Sequence, residues 1–248
     1  MRWWRELLYV AGFYAVYSLV RSRLSGSSSI GAANAERIIA IERSLGLYLE
    51  RSLQHAFLDA EWFIVFWNVF YGTLHFIVTI GVLVWLFRRF PERYRFWRTT
   101  LAVATACALI GFAFFPLTPP RLLPGYVDTL VDPGGLWSFD SGPMRGVANQ
   151  HAAMPSLHIG WSLWCALAVA TTTESRRVRM AIALHPLATL FAVIVTANHF
   201  WLDGVGGVAV VGVGLLAARA LTPPRARDED SADEDSVDEV SRARLEER

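Results

Sequence analysis

Two histidines and an aspartate are the residue types from which a phosphoryl-transfer site can be built. His158 opens one long apolar segment, and His199 follows the next, with Asp203 four residues further on. If these segments are successive membrane spans, both histidines reach the same side of the bilayer. Residues four apart share a helix face, so Asp203 can accept the Nδ1–H of His199 and leave its Nε2 free to react. Taken alone, each feature also fits a helix-capping or interfacial role.

Phosphate-binding groups are predicted around these histidines. Pro155 and Ser156 indicate the start of a helix, whose N–H groups and dipole attract an anion. Arg121 follows two prolines just beyond an apolar segment, where a guanidinium can grip a phosphate with two donors, and Arg145 is a second candidate in the same loop. Each arginine is equally suited to anchoring a lipid headgroup. If the histidines react, their ring nitrogens should flank a space for one phosphate.

The composition is that of an integral membrane protein. The 248 residues are 54% hydrophobic, with a mean hydropathy of +0.34. About 20 apolar residues cross a bilayer. Six segments qualify: roughly 3–20, 62–87, 99–115, 156–172, 180–196 and 205–221. We therefore expect an all-α integral membrane protein built as a six-helix transmembrane bundle. The first segment fits either a retained anchor or a signal segment.

Arginine clusters predict the orientation of this bundle. They follow the second, fourth and sixth segments: Arg88, Arg89, Arg93, Arg95 and Arg98, then Arg176, Arg177 and Arg179, then Arg219, Arg225 and Arg227. The positive-inside rule places such clusters in the cytoplasm. We therefore expect a multi-pass protein of the cell membrane with both termini in the cytoplasm and the histidines on the extracytoplasmic face.

Two segments between and after the spans have compositions of their own. Residues 33–54 predict an amphipathic helix at the outer interface, with Gly46 as a break and Glu42 on its polar side. Residues 222–248 hold ten acidic residues against five arginines and predict a disordered acidic C-terminal tail. The expected domains are an N-terminal anchor at 1–24, a catalytic membrane domain at 25–221 and the tail at 222–248.

A polar stripe marks the second predicted span. Asn68, Tyr71 and His75 fall at i, i+3 and i+7, so they share one helix face. Polar groups at that depth are costly unless they face the protein interior or a cavity. They are candidates for lining a pocket below the histidines, and a hydrogen-bond network between helices explains them equally well.

Several classes of chemistry find no support in the chain. It contains no lysine, which excludes a Schiff base. Cys107 and Cys165 lie inside apolar runs without metal-ligand spacing, so neither a disulfide framework nor a zinc site is predicted. We expect no cofactor, no metal and no nucleic-acid partner, and the sequence leaves the oligomeric state open.

The order of these motifs resembles the type 2 phosphatidic acid phosphatase superfamily: an arginine loop, then Pro-Ser-x-His, then His-x-x-x-Asp. The stretch Ala152-Ala153-Met154-Pro155-Ser156-Leu157-His158 resembles the branch that includes inositol phosphorylceramide synthase. Similar too are Ala33, Glu36 and Arg37, then Glu42, Leu45 and Gly46, and Asn198-His199 with Asp203. The resemblance covers about residues 30–220.

This resemblance implies a six-helix membrane fold and metal-free phosphoester chemistry. It implies that His199 is a nucleophile that forms a phosphohistidine and that Asp203 orients it. His158 would protonate the leaving oxygen and then deprotonate the acceptor, while Arg121 and Ser156 would hold the phosphoryl oxygens.

Three positions depart from the superfamily pattern. Phe114 stands where the first motif has a lysine, Leu157 where the second has a glycine, and Val193 where the third has an arginine. The synthase-like branch shares these losses. They favour that branch and leave fewer positive groups for simple phosphatidate hydrolysis.

The expected function is therefore head-group transfer from a phospholipid to an alcohol, as in an inositolphosphotransferase. Phosphatase activity on a lipid or polyprenyl phosphate is the second hypothesis, because the sequence does not separate water from an alcohol as acceptor. A non-catalytic six-span scaffold is the competing class, although it gives no reason for His158, His199, Asp203 and Arg121 to converge.

Overall fold

The structure is a computed structural model and describes residues 3–23, 28–131 and 152–222. These residues form helices joined by loops, with no β-strand among them. The predicted acidic tail beyond residue 222 and the predicted phosphate ligand Arg145 lie outside the described residues. The all-α prediction is confirmed for the part of the chain that is described.

The helices follow one another with short connections across most of the chain. They are α1 (Trp3–Arg23), α2 (Ser28–Ser44), α3 (Glu50–Phe57), α4 (Glu61–Val69), α5 (His75–Arg89), α6 (Pro91–Phe114), α7 (Leu157–Ala170), α8 (Arg176–Val195) and α9 (Trp201–Leu221). A π-helical turn, Phe70–Leu74, joins α4 to α5, and a short 3₁₀ turn covers Pro120–Leu122.

Four helices are long and apolar enough to cross a membrane: Glu61–Arg89, Pro91–Phe114, Arg176–Val195 and Trp201–Leu221. They correspond to the second, third, fifth and sixth predicted spans, so the predicted count of six is only partly reproduced among the described residues. The fourth predicted span is the apolar helix α7, which has 14 residues. At 1.5 Å per residue it extends about 21 Å, less than the ~30 Å of a hydrocarbon core. The first, α1, is helical but is not among the four.

Helix starts follow local sequence rules. Ser156 and Ser175 precede α7 and α8, and each side-chain oxygen accepts a backbone N–H three residues on. Pro91 occupies the first turn of α6, where its missing N–H costs no hydrogen bond. These signals fix where α7 begins, and hence where His158 lies.

Glycines of α9 allow the closest helix contacts. A Cβ at Gly207 would collide with the carbonyl oxygen of Ser156, and one at Gly214 would collide with that of Thr100. Small residues of this kind let membrane helices approach at backbone distance. The close approach at Gly207 brings the start of α7 against the first turns of α9.

Large apolar side chains cover the outside of the spanning helices. Exposed examples on these helices are Trp62, Phe66, Ile77, Ile80, Leu184, Leu187, Val205 and Leu216. A soluble protein would rarely leave so much apolar surface open to water. The chain is a membrane protein, and this surface faces lipid.

The predicted amphipathic helix is two helices. α2 ends at Ser44, and α3 begins at Glu50 after a turn in which Gly46 has φ +69°. The break expected at Gly46 is confirmed. The prediction that Glu42 lies on the polar side is wrong, because its side chain is fully buried. It follows Ile38 by four residues and therefore shares the apolar face of α2.

Candidate active site

His199 and Asp203 form a hydrogen-bonded pair where α8 gives way to α9. His199 Nδ1 lies 3.0 Å from Asp203 Oδ2, and both side chains are buried. A carboxylate oxygen accepts, so Nδ1 donates and the lone pair of the ring is left on Nε2. The backbone N–H of Phe200 donates to the same oxygen at 3.0 Å, which holds the carboxylate in place. The ring of His199 therefore has one defined tautomer and a nucleophilic nitrogen.

His158 lies in the first turn of α7 and meets His199 directly. Its Nδ1 is 3.4 Å from His199 Nε2. Because that Nε2 carries a lone pair, the Nδ1 of His158 is the donor in this contact. The histidines are thus on one side of the bundle, as the span argument predicted. The predicted space for a phosphate between the two nitrogens is wrong for this structure, since 3.4 Å leaves no room for a phosphorus atom with its oxygens.

Aromatic rings enclose His158 on its other faces. Tyr71 stacks on it with a centroid distance of 4.2 Å, and the ring of His75 lies at 4.3 Å. His75 Nδ1 is 2.9 Å from the carbonyl oxygen of Tyr71, which can only accept, so this nitrogen carries a hydrogen. The π-helical turn between α4 and α5 contains Tyr71 and ends beside His75, and such turns are frequent at functional sites.

Asn68, the third member of the predicted stripe, has a different neighbourhood. Its Nδ2 donates to the carbonyl oxygen of Thr129 at 2.7 Å, and the hydroxyl of Thr129 donates back to its Oδ1 at 3.3 Å. The sequence left open a hydrogen-bond network between helices, but this network joins α4 to a loop, because Thr129 lies in no helix. Asn68 fastens the loop after Arg121 to α4, whereas Tyr71 and His75 contact the histidine directly.

Arg121 is placed beside the histidines by its backbone. Its N–H donates to the carbonyl oxygen of Ala197 at 2.8 Å, two residues before His199. Ala197 has φ +54°, a left-handed conformation uncommon for a residue with a Cβ, and it turns the chain out of α8. A backbone hydrogen bond therefore joins the loop that carries Arg121 to the turn that carries His199.

The guanidinium of Arg121 is largely buried and paired. Nη1 contacts Asp128 Oδ2 at 2.6 Å, and Nε is buried without a hydrogen-bond partner among the described residues. An unpartnered buried donor is costly, and an arriving phosphate oxygen would satisfy it. A phosphate would have to share this arginine with Asp128.

Ser156 connects the start of α7 to the first turn of α9. Its N–H donates to the backbone oxygen of Asp203 at 2.9 Å, and its hydroxyl oxygen accepts the N–H of Ile159 at 3.5 Å. The hydroxyl is thus engaged in capping α7, with its own hydrogen left for donation. Arg145, the remaining predicted phosphate ligand, lies outside the described residues.

Two acids that the sequence did not single out reach the same place. Glu42 Oε1 accepts the N–H of Leu202 at 2.9 Å, and Glu50 Oε1 accepts that of Trp201 at 3.2 Å. Both side chains are fully buried. The position of Glu42 on the apolar face of α2 is a sequence signal from which its burial could have been predicted. Glu50 sits at the start of a short helix, where acids are common, so no comparable signal distinguishes it.

The arrangement is suited to acid–base and nucleophilic chemistry. It combines an oriented imidazole, a second imidazole within hydrogen-bonding distance and an arginine whose backbone N–H binds the chain two residues before His199. No group of three His, Cys, Asp or Glu side chains suited to a metal ion occurs in the described ranges. That the chemistry is metal-free stays a prediction.

The fold and the site together define an all-helical membrane protein with a buried His–His–Asp cluster. A family model for the PAP2 superfamily, the type 2 phosphatidic acid phosphatases, matches residues 36–217. The chain therefore belongs to this superfamily, and it is a phosphatase or phosphotransferase enzyme of lipid-processing type. No curated protein and no solved structure gives a significant match.

Proposed function

We propose that this protein is a phosphotransferase that moves a phosphoryl-linked head group from a phospholipid to an alcohol through a phosphohistidine on His199. One observation carries the proposal: His199 Nδ1 is fixed by Asp203 at 3.0 Å while Nε2 points at a second imidazole. Within the synthase-like branch of the superfamily, the activity is that of an inositolphosphotransferase.

In the first step, the Nε2 lone pair of His199 forms a bond to phosphorus as the ester bond to the lipid oxygen breaks. A proton from His158 goes to the departing oxygen. In the second step, His158 removes the proton of the acceptor hydroxyl, whose oxygen bonds to phosphorus while the P–N bond breaks. The second step restores both imidazoles, and Asp203 stabilises the charge on His199 throughout.

Binding of substrate must open the contact between the two histidines. A reacting phosphorus has to approach Nε2 of His199 to about 3 Å, where the Nδ1–H of His158 now points. The phosphate oxygens would take over this donor and, with it, the buried Nε of Arg121. Ser156 would donate its hydroxyl hydrogen to the same group, and Tyr71 and His75 would line the pocket around His158.

Hydrolysis of a lipid or polyprenyl phosphate is the second candidate. It differs only in the acceptor, with water in place of the alcohol in the second step. The family membership favours it as strongly as transfer, since the family description covers phosphatases.

The location we propose follows from the arginines. The exposed clusters of α5, α6, α8 and α9 lie at the end of the bundle away from His158 and His199. By the positive-inside rule this end is cytoplasmic, together with both termini. The active site then faces the extracytoplasmic side of the cell membrane.

The direct test uses purified protein in detergent with labelled phospholipids and polyprenyl phosphates, with and without EDTA. Wild type, His199→Ala and the exposed-histidine control His55→Ala are compared for released phosphate and for new lipid species. We expect turnover that survives EDTA, is lost only in His199→Ala, and is accompanied by an acid-labile label on His199. The product distinguishes transfer from hydrolysis. Equal turnover in wild type and His199→Ala would refute the mechanism.

A further inference from the structure

The first turn of α9 is held by three carboxyl groups. In an isolated helix the first N–H groups have no partner within the helix. Here the N–H groups of Phe200, Trp201 and Leu202 each donate to a side-chain oxygen, at 3.0, 3.2 and 2.9 Å. The acceptors are, in that order, Asp203, Glu50 and Glu42. Two of these acids come from helices that lie far earlier in the chain.

Glu42 and Glu50 are buried as a pair. Neither side chain is exposed, and the second oxygen of each, Oε2, has no further hydrogen-bond partner in the described part of the chain. The two acids bind the N–H groups of adjacent residues, Trp201 and Leu202, so their carboxyl groups lie side by side. Two ionised carboxylates this near to each other repel strongly, whereas one proton between them removes the repulsion.

The surroundings favour that proton. Burial, then the contact with Glu50, raises the pKa of Glu42 to about 9, against a smaller lowering by the N–H of Leu202. Of the other titratable groups, His199 interacts with Asp203, and Tyr126 interacts with Glu42 and Glu50 while its hydroxyl donates to that of Tyr48. Burial and the hydroxyl of Tyr48 raise the pKa of Tyr126 as well, so Tyr126 adds no negative charge at neutral pH.

We propose that Glu42 and Glu50 are positioning residues of the active site, and that the pair fixes the first turn of α9 while holding one proton between its carboxyl groups. The proposal rests on the proposed function for its catalytic consequence. His199 and Asp203 flank the N–H groups that the pair binds, so the placement of the nucleophile follows the placement of that turn.

The physical reason for acids at this point is the helix dipole. The start of a helix carries partial positive charge, which a nearby carboxylate stabilises. One negative charge on the pair is enough to interact favourably with the positive end of α9. A second negative charge would face no positive group within the pair. Misplacing a reacting group by about 1 Å lowers rates on the order of 10²-fold, which is why the turn has to be held from both α2 and α3.

Because the pair holds a proton, its contribution to the stability of the folded protein decreases as the pH rises. Glu42 has a higher pKa in the folded protein than its ordinary value of 4.5. Its contribution to stability is therefore fully present below pH 4.5 and is lost as the pH rises through about 9. Glu42→Gln removes this loss, because the amide keeps an oxygen for Leu202 and an N–H for Glu50 at every pH.

The first measurement is thermal unfolding between pH 5 and pH 9 for wild type, Glu42→Gln and the matched control Glu36→Gln. Glu36 is an exposed acid of the same helix. We expect the melting temperature of Glu42→Gln to rise relative to wild type as the pH increases, while Glu36→Gln follows wild type. Parallel curves for all three proteins would overturn the shared proton.

The second measurement separates positioning from general stability. The double variant Glu42→Ala/Glu50→Ala is compared with Glu42→Gln/Glu50→Gln, after both are shown to be monodisperse by size-exclusion chromatography. We expect the alanine variant to lose at least tenfold in kcat with less than a twofold change in KM, and the glutamine variant to stay within threefold of wild type. Equal kcat in both variants and wild type would overturn the positioning role.

A third readout does not depend on any substrate. The rate at which diethylpyrocarbonate modifies His199, followed by mass spectrometry of its peptide, reports the burial of the imidazole. We expect it to rise at least fivefold in the alanine double variant and to stay unchanged in the glutamine one. If wild type turns over no lipid while this pattern holds, the proposed function fails and the positioning role stands. If the modification rate of His199 is unchanged in the alanine variant, the positioning role fails, whatever the turnover.

If the alanine variant does not fold, the single variants Glu42→Leu and Glu50→Leu replace it. Each removes one acceptor and keeps the buried volume. Rescue by the matching glutamine variant is then the required result, and failure of glutamine to rescue kcat overturns the proposal.

Discussion

The two ends of the bundle use arginine in opposite ways. At one end Arg121 is buried, paired with Asp128 and tied by its backbone to Ala197. At the other end Arg93, Arg95 and Arg219 are exposed around a cleft that also contains Arg5 and Arg98. The comparison teaches that burial and partners, rather than residue type, separate a group placed for chemistry from a group placed for anchoring.

The ends differ equally in how their polar groups are satisfied. At the histidine end, a side-chain hydrogen bond connects His199 to Asp203, and a backbone hydrogen bond connects Ser156 to Asp203. At the arginine end the main polar contact among described residues is Glu6, which accepts from both Arg98 and Tyr94 and fastens α1 to α6. Substitutions at the first end should therefore change turnover, and those at the second should change stability.

The largest expected effect on turnover is that of His199→Gln, which tests the chemical role of the histidine end. We expect turnover to fall on the order of 10⁴-fold, because the amide has no lone-pair nitrogen to attack phosphorus. The melting temperature should change little, because the glutamine amide can still donate to Asp203. Single-turnover assays with the lipid substrate measure the loss. Retained turnover would show that another residue is the nucleophile.

The next largest effect is expected for Asp203→Asn. The amide is the same size, yet it no longer favours a hydrogen on Nδ1 of His199, so the lone pair moves away from the substrate. We expect kcat to fall about 10³-fold with little change in KM. A loss confined to KM would instead indicate a role in substrate binding.

Arg121→Lys sharpens the contrast between the two ends, with Arg95→Lys as the matched control. Lysine keeps the charge and loses the forked geometry that binds two phosphate oxygens. We expect about a 10²-fold loss of kcat/KM at position 121 and less than a twofold change at position 95. Steady-state kinetics on both variants measures the ratio, and equal losses at the two positions would erase the distinction between the ends.

The smallest expected effect is that of Glu6→Gln. Glu6 and Arg98 are partly buried, so the ion pair is screened less than a surface pair. Removing its charge should lower the free energy of unfolding by about 1 kcal/mol and the melting temperature by about 2–4 °C. Turnover should be unchanged. A tenfold loss of kcat would show that the position of α1 affects the geometry of the active site.

Much of the histidine end could be predicted from local sequence. The four-residue spacing of His199 and Asp203 defines their hydrogen bond once α9 begins between them, and Pro155-Ser156 predicts the start of α7 one residue after Ser156. The order of the predicted spans is sufficient to place His158 and His199 on the same side of the membrane. These predictions succeed because each depends on one helix or on two consecutive helices.

What the sequence did not predict depends on distant packing. The 3.4 Å contact of the two imidazoles requires the rotamers of both rings, and the pairing of Arg121 with Asp128 requires the path of a whole loop. The charge of Glu42 indicates the polar side of α2, whereas its spacing from Ile38 places it on the buried face. The predicted span 156–172 is longer than α7 because it includes Ser156, Thr171 and Thr172, which lie outside the helix.

The contacts that secure α9 join residues 151 and 160 positions apart in the chain. Contacts between such distant segments form late, because the intervening chain must first be ordered. The ribosome makes α9 after α2 and α3, so the carboxyl groups of Glu42 and Glu50 have no N–H partners from α9 until that helix has been made. We expect stalled chains that end before residue 200 to be recognised by quality-control proteases as unfinished, and pulse-chase lifetimes of such truncations would measure it. His199 would then reach its final position only after α9 has been made.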